Sequence, residues 1–173
     1  MNSGRLRVFT VGHSNHTADE FLDVLARNEI VGVADVRSQP YSRYARHFGR
    51  ENLESILKEA GLDYRYFGRD LGGRPEGPEL YDEAGRLLYD RAAARPEFGR
   101  ALERLCEWAA VAPVAIMCGE GDPSGCHRRH LVARNLEATG NVEVVHVLRD
   151  GGALTEAELC RRETPPQMEL FGD

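Results

Sequence analysis

Side chains suited to acid–base and nucleophilic chemistry follow three apolar segments of the chain, each where the segment ends. They are His13 and Ser14 after residues 5–11, Asp35 and Arg37 around the end of residues 30–36, and Cys118 and Glu120 after residues 114–117. The carboxyl ends of parallel strands meet at one edge of a sheet, and ligands bind there. If the three segments are parallel strands, these side chains form a single site.

Two carboxylates of this set, Asp35 and Glu120, are a candidate pair for hydrolysis. Paired carboxylates in different environments divide the roles of general acid and general base, as in glycosidic-bond cleavage. His13 or His127 would assist the proton transfers. The alternative for Asp35 is an ion pair with Arg37 that merely closes the strand, because structural ion pairs are also common.

Cys118 is a candidate nucleophile of another kind, because a thiol near Arg128 at a strand end is acidified. The DVRS segment with a cysteine after a strand is similar to rhodanese-like sulfurtransferases, although Ser124 stands where their loop arginine belongs. Zinc at Cys118, Cys126 and His127 is a less favoured alternative, since structural zinc sites have two closely spaced ligand pairs. Small buried thiols that support the loop are a third alternative. The sequence does not identify a cofactor.

Charge is unevenly distributed along the chain. The formal net charge is −6, from 22 Lys+Arg and 28 Asp+Glu, yet residues 37–50 and 124–136 contain arginines and no acid. Such acid-free arginine segments attract phosphate even when the net charge is negative. The residues that we expect to bind phosphate or substrate are Ser14, Arg37, Ser42, Arg43, Gly72, Gly73, Arg74, Cys126 and Arg128. For Gly72 and Gly73 the alternative to a binding role is a plain turn.

The first arginine segment, residues 37–50, also contains aromatic side chains: Tyr41, Tyr44, His47 and Phe48. Arginine for phosphates and aromatic rings for stacking on bases are typical of surfaces that bind single strands or flipped bases. A solvated loop with buried aromatics is the alternative. The second segment places His127, Arg128, Arg129 and His130 at a predicted helix start, where cations oppose the helix dipole, so we expect an anion to compensate them.

The elements that position these residues alternate along the chain. The pattern predicts strands at 5–11, 30–36, 62–67, 114–117 and 142–148, and helices after a capping box at Thr17 and Glu20, at 53–60, at 81–91, after Pro96 and at 124–139. Alternation of this kind predicts a single α/β domain, residues 1–163, with a mainly parallel sheet of about five strands and helices on both faces. No apolar run is long enough for a membrane helix and no signal peptide is expected, so we expect a cytoplasmic protein with reduced thiols.

Residues 164–173 form a tail with the sequence QMELF at 167–171. The pentapeptide is similar to the motif that binds the bacterial sliding clamp, with Met168 and Glu169 as mild departures. Leu170 and Phe171 would fill an apolar pocket while Gln167 binds its rim. The alternative is a tail that buries Phe171 on its own domain.

Four motifs, in this order, resemble the prokaryotic family called domain of unknown function 488: TVGHS (10–14), DVRSQPYSR (35–43), LGGR (71–74) and MCGEGDPSGCHR (117–128). The resemblance runs from Thr10 to His146 and implies a compact α/β domain, but no reaction. It implies that the family's motifs contain His13, Ser14, Asp35, Arg37, Pro40, Ser42, Gly72, Gly73, Cys118, Glu120, Cys126, His127 and Arg128.

These observations predict an enzyme that hydrolyses a glycosidic or phosphate-ester bond in nucleic acid or a nucleotide, recruited to DNA replication or repair through a clamp-binding tail. Asp35 and Glu120 would do the acid–base work, and Arg37, Arg74 and Arg128 would hold phosphate. A non-catalytic DNA-binding adaptor is one alternative. A thiol sulfurtransferase or redox protein that uses Cys118 is the other.

Overall fold

Six strands form one sheet in the computed structural model, which describes residues 4–164. The strands are β1 (Leu6–Gly12), β2 (Gly32–Asp35), β3 (Asp63–Tyr66), β4 (Val114–Cys118), β5 (Val142–Val147) and β6 (Ala153–Thr155). Their order in space is β3-β2-β4-β1-β5-β6, and all pairs are parallel except β5 with β6. The predicted mainly parallel sheet is confirmed, with a short antiparallel strand added at one edge.

Seven α-helices connect and cover the strands within the described residues. They are α1 (Ala18–Arg27), α2 (Arg50–Glu59), α3 (Gly68–Leu71), α4 (Tyr89–Ala93), α5 (Pro96–Ala109), α6 (Arg134–Ala138) and α7 (Glu156–Glu163). The predicted capping box of α1 is present: Glu20 N–H donates to Thr17 Oγ1 at 3.2 Å, and Thr17 N–H donates to Glu20 Oε2 at 2.7 Å. Within residues 4–164, no helix has the length and apolar character needed to cross a membrane.

Each face of the sheet carries its own apolar core. On β4, Ile116 and Cys118 pack with α5, whereas Ala115 and Met117 pack with α1 and α2. This alternation follows from the two-residue period of a strand. It explains why residues 114–118 read as a continuous apolar run, since a parallel strand between two helical layers is buried on both sides.

Two predicted helices are wrong in part. Residues 81–88 form a turn in which Asp82 Oδ1 accepts from the N–H groups of Ala84 and Arg86, and the helix begins only at Tyr89. The aspartate offers the backbone an alternative to helical hydrogen bonds. Residues 124–139 do not form one α-helix either, because a 3-10 turn (Pro123–Gly125) and a π-helical turn (Arg128–Ala133) precede α6.

Candidate functional site

A cleft of about 550 Å³ lies at the carboxyl edge of the sheet, where β1, β2 and β4 end. Its lining includes most of the predicted site residues: His13, Arg37, Ser42, Gly73, Arg74, Cys118, Glu120, Cys126 and His127. Tyr89, Gln39 and Tyr41 also line it, and the sequence patterns did not single out Tyr89 or Gln39. Of the other predicted residues, Ser14, Asp35, Arg43, Gly72 and Arg128 are not part of the lining.

The ends of β1 and β4 stay paired beyond the strands themselves, and this brings His13 to the thiols. The N–H of His13 donates to the carbonyl of Cys118, and the N–H of Ser14 donates to the carbonyl of Gly119, both at 3.0 Å. Ser14 then turns the chain away with a φ of 47°, in the left-handed region. Strained backbone of this kind clusters at functional sites.

Two thiols meet at the base of the cleft. The Sγ atoms of Cys118 and Cys126 lie 2.8 Å apart, and each residue is only 2% exposed. Both are free cysteines. Because Cys118 ends β4 and Cys126 precedes the π-helical turn, the intervening loop folds back to bring residues eight apart in sequence into contact.

Arg128 lies behind this pair and is fully buried. Its Nη1 donates to Cys118 Sγ at 2.8 Å and to the carbonyl of Glu120, while Nη2 donates to the carbonyl of Gly121 at 3.1 Å. Gly12 makes room for this arrangement, since a Cβ there would collide with the Glu120 carbonyl and Arg128 Nη1. A guanidinium without exposed surface cannot reach a phosphate in the cleft, so this geometry favours a role for Arg128 in the thiol pair and its loop.

Of the two thiols, Cys118 is the one whose surroundings favour ionisation. Burial raises the pKa of Cys118, but the hydrogen bond from Cys126 and the positive charge of Arg128 outweigh it and lower that pKa to about 7. The pKa of Cys126 is raised, because its hydrogen bond to Cys118, its burial and the neighbouring thiolate all oppose its ionisation. A substantial fraction of Cys118 is therefore thiolate at neutral pH.

Asp35 is fully buried and is bound on both carboxylate oxygens. Arg37 donates to it through Nε at 2.9 Å and Nη2 at 2.6 Å, and the Tyr64 hydroxyl donates at 2.8 Å. The same arginine also donates through Nη1 to the carbonyl of Phe48 at 2.8 Å. This geometry favours the ion-pair alternative, in which Asp35 positions Arg37, over a general acid that faces substrate.

His13 is held neutral in the wall of the cleft. Its ring stacks on Phe48 at 4.3 Å between centroids, and its Nδ1 donates to the Ser14 carbonyl at 2.9 Å. Its Nε2 therefore accepts from Arg37 Nη1 at 3.2 Å. Burial is the main cause that lowers the pKa of His13 to about 4, although the hydrogen bond to Ser14 opposes the shift. A histidine in this state has no proton to give as a general acid at neutral pH.

His127 is also held by the fold. Its Nε2 donates to the carbonyl of Val36 at 3.0 Å, and its Nδ1 lies 4.0 Å from Cys126 Sγ. Burial lowers its pKa. In the part of the chain that the structure describes, no three His, Cys, Asp or Glu side chains are grouped to hold a metal ion.

Glu120 and Arg74 are the exposed charged side chains of the cleft. Glu120 is the one predicted carboxylate that reaches the cleft, since Arg37 and Tyr64 enclose Asp35. The two carboxylates therefore do not face each other across a substrate. Arg74 follows Gly73, whose missing side chain leaves space for the ring of His127.

The anion expected to compensate the second arginine segment comes from the protein itself. Arg129 Nη2 lies 2.7 Å from Glu156, and its Nη1 lies 2.7 Å from Glu163. Glu156 also binds His146 Nε2 at 2.7 Å, so helix α7 is tied to both β5 and the π-helical turn. The seven-residue spacing of Glu156 and Glu163 puts both on one helical face, a signal that was present in the sequence.

The first arginine segment divides into an inner and an outer part. Phe48 is 1% exposed and belongs to the core, whereas Tyr41 is 73% and Tyr44 is 100% exposed. Arg43 and Arg46 are exposed beside them. Phe48 therefore fits the alternative of a loop with buried aromatic side chains, whereas Tyr41 and Tyr44 lie on the surface.

The model of the family described as "Domain of unknown function DUF488" matches residues 17–135, which is more than half of the chain. The motifs at 35–43, 71–74 and 117–128 lie inside this span, and TVGHS at 10–14 lies before it. No curated protein and no solved structure matches the chain. The chain belongs to the DUF488 family.

Proposed function

We propose that the protein is a thiol-dependent redox enzyme in which Cys118 is the nucleophile and Cys126 is its partner. The observation that carries this proposal is the contact of the two Sγ atoms at 2.8 Å, with Arg128 on the same Cys118 sulfur. Two thiols in contact form a disulfide with little movement of the backbone. The paired thiols favour redox chemistry over sulfur transfer, for which one cysteine suffices.

The reaction reduces an oxidised substrate by two electrons. The Cys118 thiolate attacks the electrophilic atom of the substrate and forms a bond to it, and the leaving group departs with the electron pair and takes up a proton. The Cys126 thiol then loses its proton and attacks Cys118 Sγ, which forms the disulfide and releases the reduced substrate. Two molecules of an external thiol restore the pair by thiol–disulfide exchange.

The arrangement supports the order of these steps. The hydrogen bond and the charge that raise the pKa of Cys126 both come from Cys118. Once Cys118 is covalently bound to substrate, its charge is gone, so the pKa of Cys126 falls. The positive charge of Arg128, 2.8 Å from Cys118 Sγ, then favours ionisation of Cys126. The second thiol therefore becomes reactive only after the first has reacted.

The test is consumption of an external thiol in the presence of an oxidised substrate. Cys118→Ser is expected to abolish turnover, and Cys160→Ser, which changes an exposed cysteine outside the cleft, is expected to retain it. Equal turnover by wild type and Cys118→Ser would contradict the proposal. The proposal also places the protein in the cytoplasm, where external thiols are abundant.

Binding of nucleic acid is a second candidate, favoured by the exposed Tyr41 and Tyr44 beside Arg43 and Arg46. Such a surface predicts salt-sensitive binding of single strands without turnover, as for an adaptor. Replacing both tyrosines with Ala is expected to weaken binding. The hydrolytic version stays a prediction: if Asp35→Ala and Glu120→Ala leave every nucleic-acid activity unchanged, it fails.

Recruitment to DNA replication or repair through the tail also remains a proposal. Gln167, Met168, Leu170 and Phe171 lie outside the described residues. Deletion of residues 167–171 is expected to abolish binding to the bacterial sliding clamp and to leave the fold intact. Absence of clamp binding by the full chain would contradict recruitment.

A further inference from the structure

The surroundings of Cys118 Sγ leave little room for a substrate. Cys126 Sγ and Arg128 Nη1 each lie 2.8 Å from it, and the carbonyl of Glu120 lies 3.7 Å from it. Both cysteines line the cleft and are nevertheless only 2% exposed. Solvent therefore barely contacts the two cysteines, although the cleft above them is about 550 Å³.

This enclosure limits the size of the electrophile. In thiol–disulfide exchange both sulfurs of the bond that breaks carry a carbon substituent, and the attacking thiolate needs access to one of these sulfurs. Hydrogen peroxide is little larger than water and carries only hydrogen on its two oxygens. A small hydroperoxide can therefore reach a thiolate that a disulfide of peptide size cannot.

Arg128 supplies the electrostatic part of such a reaction. It is fully buried, and within residues 4–164 it has no ion pair with a carboxylate, so the Cys118 thiolate is its counter-charge. Its Nε also has no hydrogen-bond partner in that range. A buried guanidinium without a carboxylate in ion-pair contact stabilises the negative charge of the thiolate.

We propose that the substrate of the Cys118–Cys126 pair is hydrogen peroxide or another small hydroperoxide. The inference rests on the proposed function and names its substrate class. Cys118–S⁻ attacks one peroxide oxygen, the O–O bond breaks, and Cys118–SOH forms with loss of hydroxide. The Cys126 thiol attacks this sulfenic acid, which forms the disulfide and releases water. Two external thiols then restore both cysteines and become a disulfide themselves.

The position of Cys126 has a further consequence for this chemistry. A sulfenic acid that meets no thiol is oxidised further to sulfinic acid. Because Cys126 Sγ is already in contact with Cys118 Sγ, the disulfide forms before a second peroxide arrives. Cys126→Ser is therefore expected to accumulate a sulfenic acid on Cys118, detected as one added oxygen in the mass of the protein, and then sulfinic acid at excess peroxide.

The experiment compares three oxidants on a chain that keeps the pair and lacks the other two cysteines, Cys106→Ser with Cys160→Ser. Hydrogen peroxide, cumene hydroperoxide and glutathione disulfide are added separately, and the loss of free thiols is followed. Hydrogen peroxide is expected to form the Cys118–Cys126 disulfide at least about tenfold faster than either bulky reagent, because access controls the rate of a buried thiolate.

Two outcomes separate this inference from the function on which it rests. Oxidation of the pair by glutathione disulfide as fast as by hydrogen peroxide would overturn the hydroperoxide assignment and leave the redox function standing. Failure of all three reagents to form the disulfide would overturn both. In the Cys126→Ser variant, absence of any added oxygen on Cys118 after peroxide treatment would independently overturn the assignment.

Discussion

Arg128 donates a hydrogen bond from Nη1 to the Sγ of Cys118 at 2.8 Å, inside a protein interior from which water is almost excluded. A buried arginine needs a counter-charge, and a buried thiol needs a cation to ionise. Each residue supplies what the other lacks. The interaction therefore favours the thiolate form of Cys118 near neutral pH and ties this residue to the loop that follows β4.

The reactivity of Cys118 is expected to follow its lowered pKa. The rate of alkylation by a small reagent such as iodoacetamide is expected to rise with pH around a midpoint of about 7. Ultraviolet absorbance of the thiolate in the chain without Cys106 and Cys160 gives the same midpoint independently. A midpoint near the ordinary thiol value of about 8.5 would contradict the role of Arg128.

The free energy of unfolding is expected to depend on pH through the Cys118 thiol. The folded pKa of Cys118 is about 7, below the unfolded value, so its contribution is fully present above the unfolded pKa and is lost as pH falls through about 7. The contribution is on the order of 2 kcal/mol. Denaturant unfolding of wild type is therefore expected to show a rise in stability between neutral and mildly alkaline pH that Cys118→Ser lacks.

Replacement of Arg128 separates its charge from its packing. Arg128→Met is expected to raise the pKa of Cys118 and to reduce its thiolate fraction at neutral pH roughly tenfold, whereas Arg128→Lys retains part of the effect. The pH dependence of the alkylation rate measures the pKa of Cys118 in both variants. Equal midpoints for wild type and Arg128→Met in folded protein would show that the guanidinium does not acidify the thiol.

Asp35 is expected to matter for stability more than for proton transfer. Asp35→Asn leaves Arg37 buried with its main counter-charge removed, which costs about 3–5 kcal/mol. Glu97→Gln is the matched control, since Glu97 is 53% exposed and pairs with Arg100 at 3.9 Å, and it is expected to cost less than about 1 kcal/mol. Similar unfolding free energies for both variants would contradict this assignment.

The acids of α7 are expected to hold the segment that carries Cys126 and Arg128. Burial raises the pKa of Glu156, but its hydrogen bonds from Arg129, Cys160 and His146 outweigh it and lower that pKa to about 2. Glu156→Gln is expected to increase amide hydrogen exchange in both α7 and residues 122–130. Glu143→Gln, on a surface pair with Arg7, is expected to change neither region.

Much of the fold was predictable because local patterns and tertiary structure agree. Residues 114–118 are apolar on both faces and form the central strand β4, and Thr17 with Glu20 forms the capping box that starts α1. The helix predicted at residues 81–91 is wrong over residues 81–88, because the apolar spacing suits a helix while the Asp82 side chain stabilises a turn. Periodicity does not detect that competition.

The location of the candidate site was predictable from the sequence, but the roles of its individual residues were less so. Strand ends predicted that His13, Arg37, Cys118 and Glu120 would share one cleft, which they do. Arginine is usually exposed, so residue type alone suggested that Arg128 binds phosphate. Its burial depends on how the loop after β4 folds back over Gly12, and no local pattern encodes that contact.

Peptide mapping after oxidation tests the central claim most directly. Trypsin releases residues 105–128, which contain Cys118 and Cys126, and Cys106→Ser removes the third cysteine of that peptide. After treatment of the folded Cys106→Ser chain with hydrogen peroxide and then an alkylating reagent, we predict a peptide lighter by two hydrogens that carries no alkyl group. A peptide that stays alkylated at both cysteines, or is modified on Cys118 alone, after hydrogen peroxide, cumene hydroperoxide and glutathione disulfide in turn would contradict the redox pair.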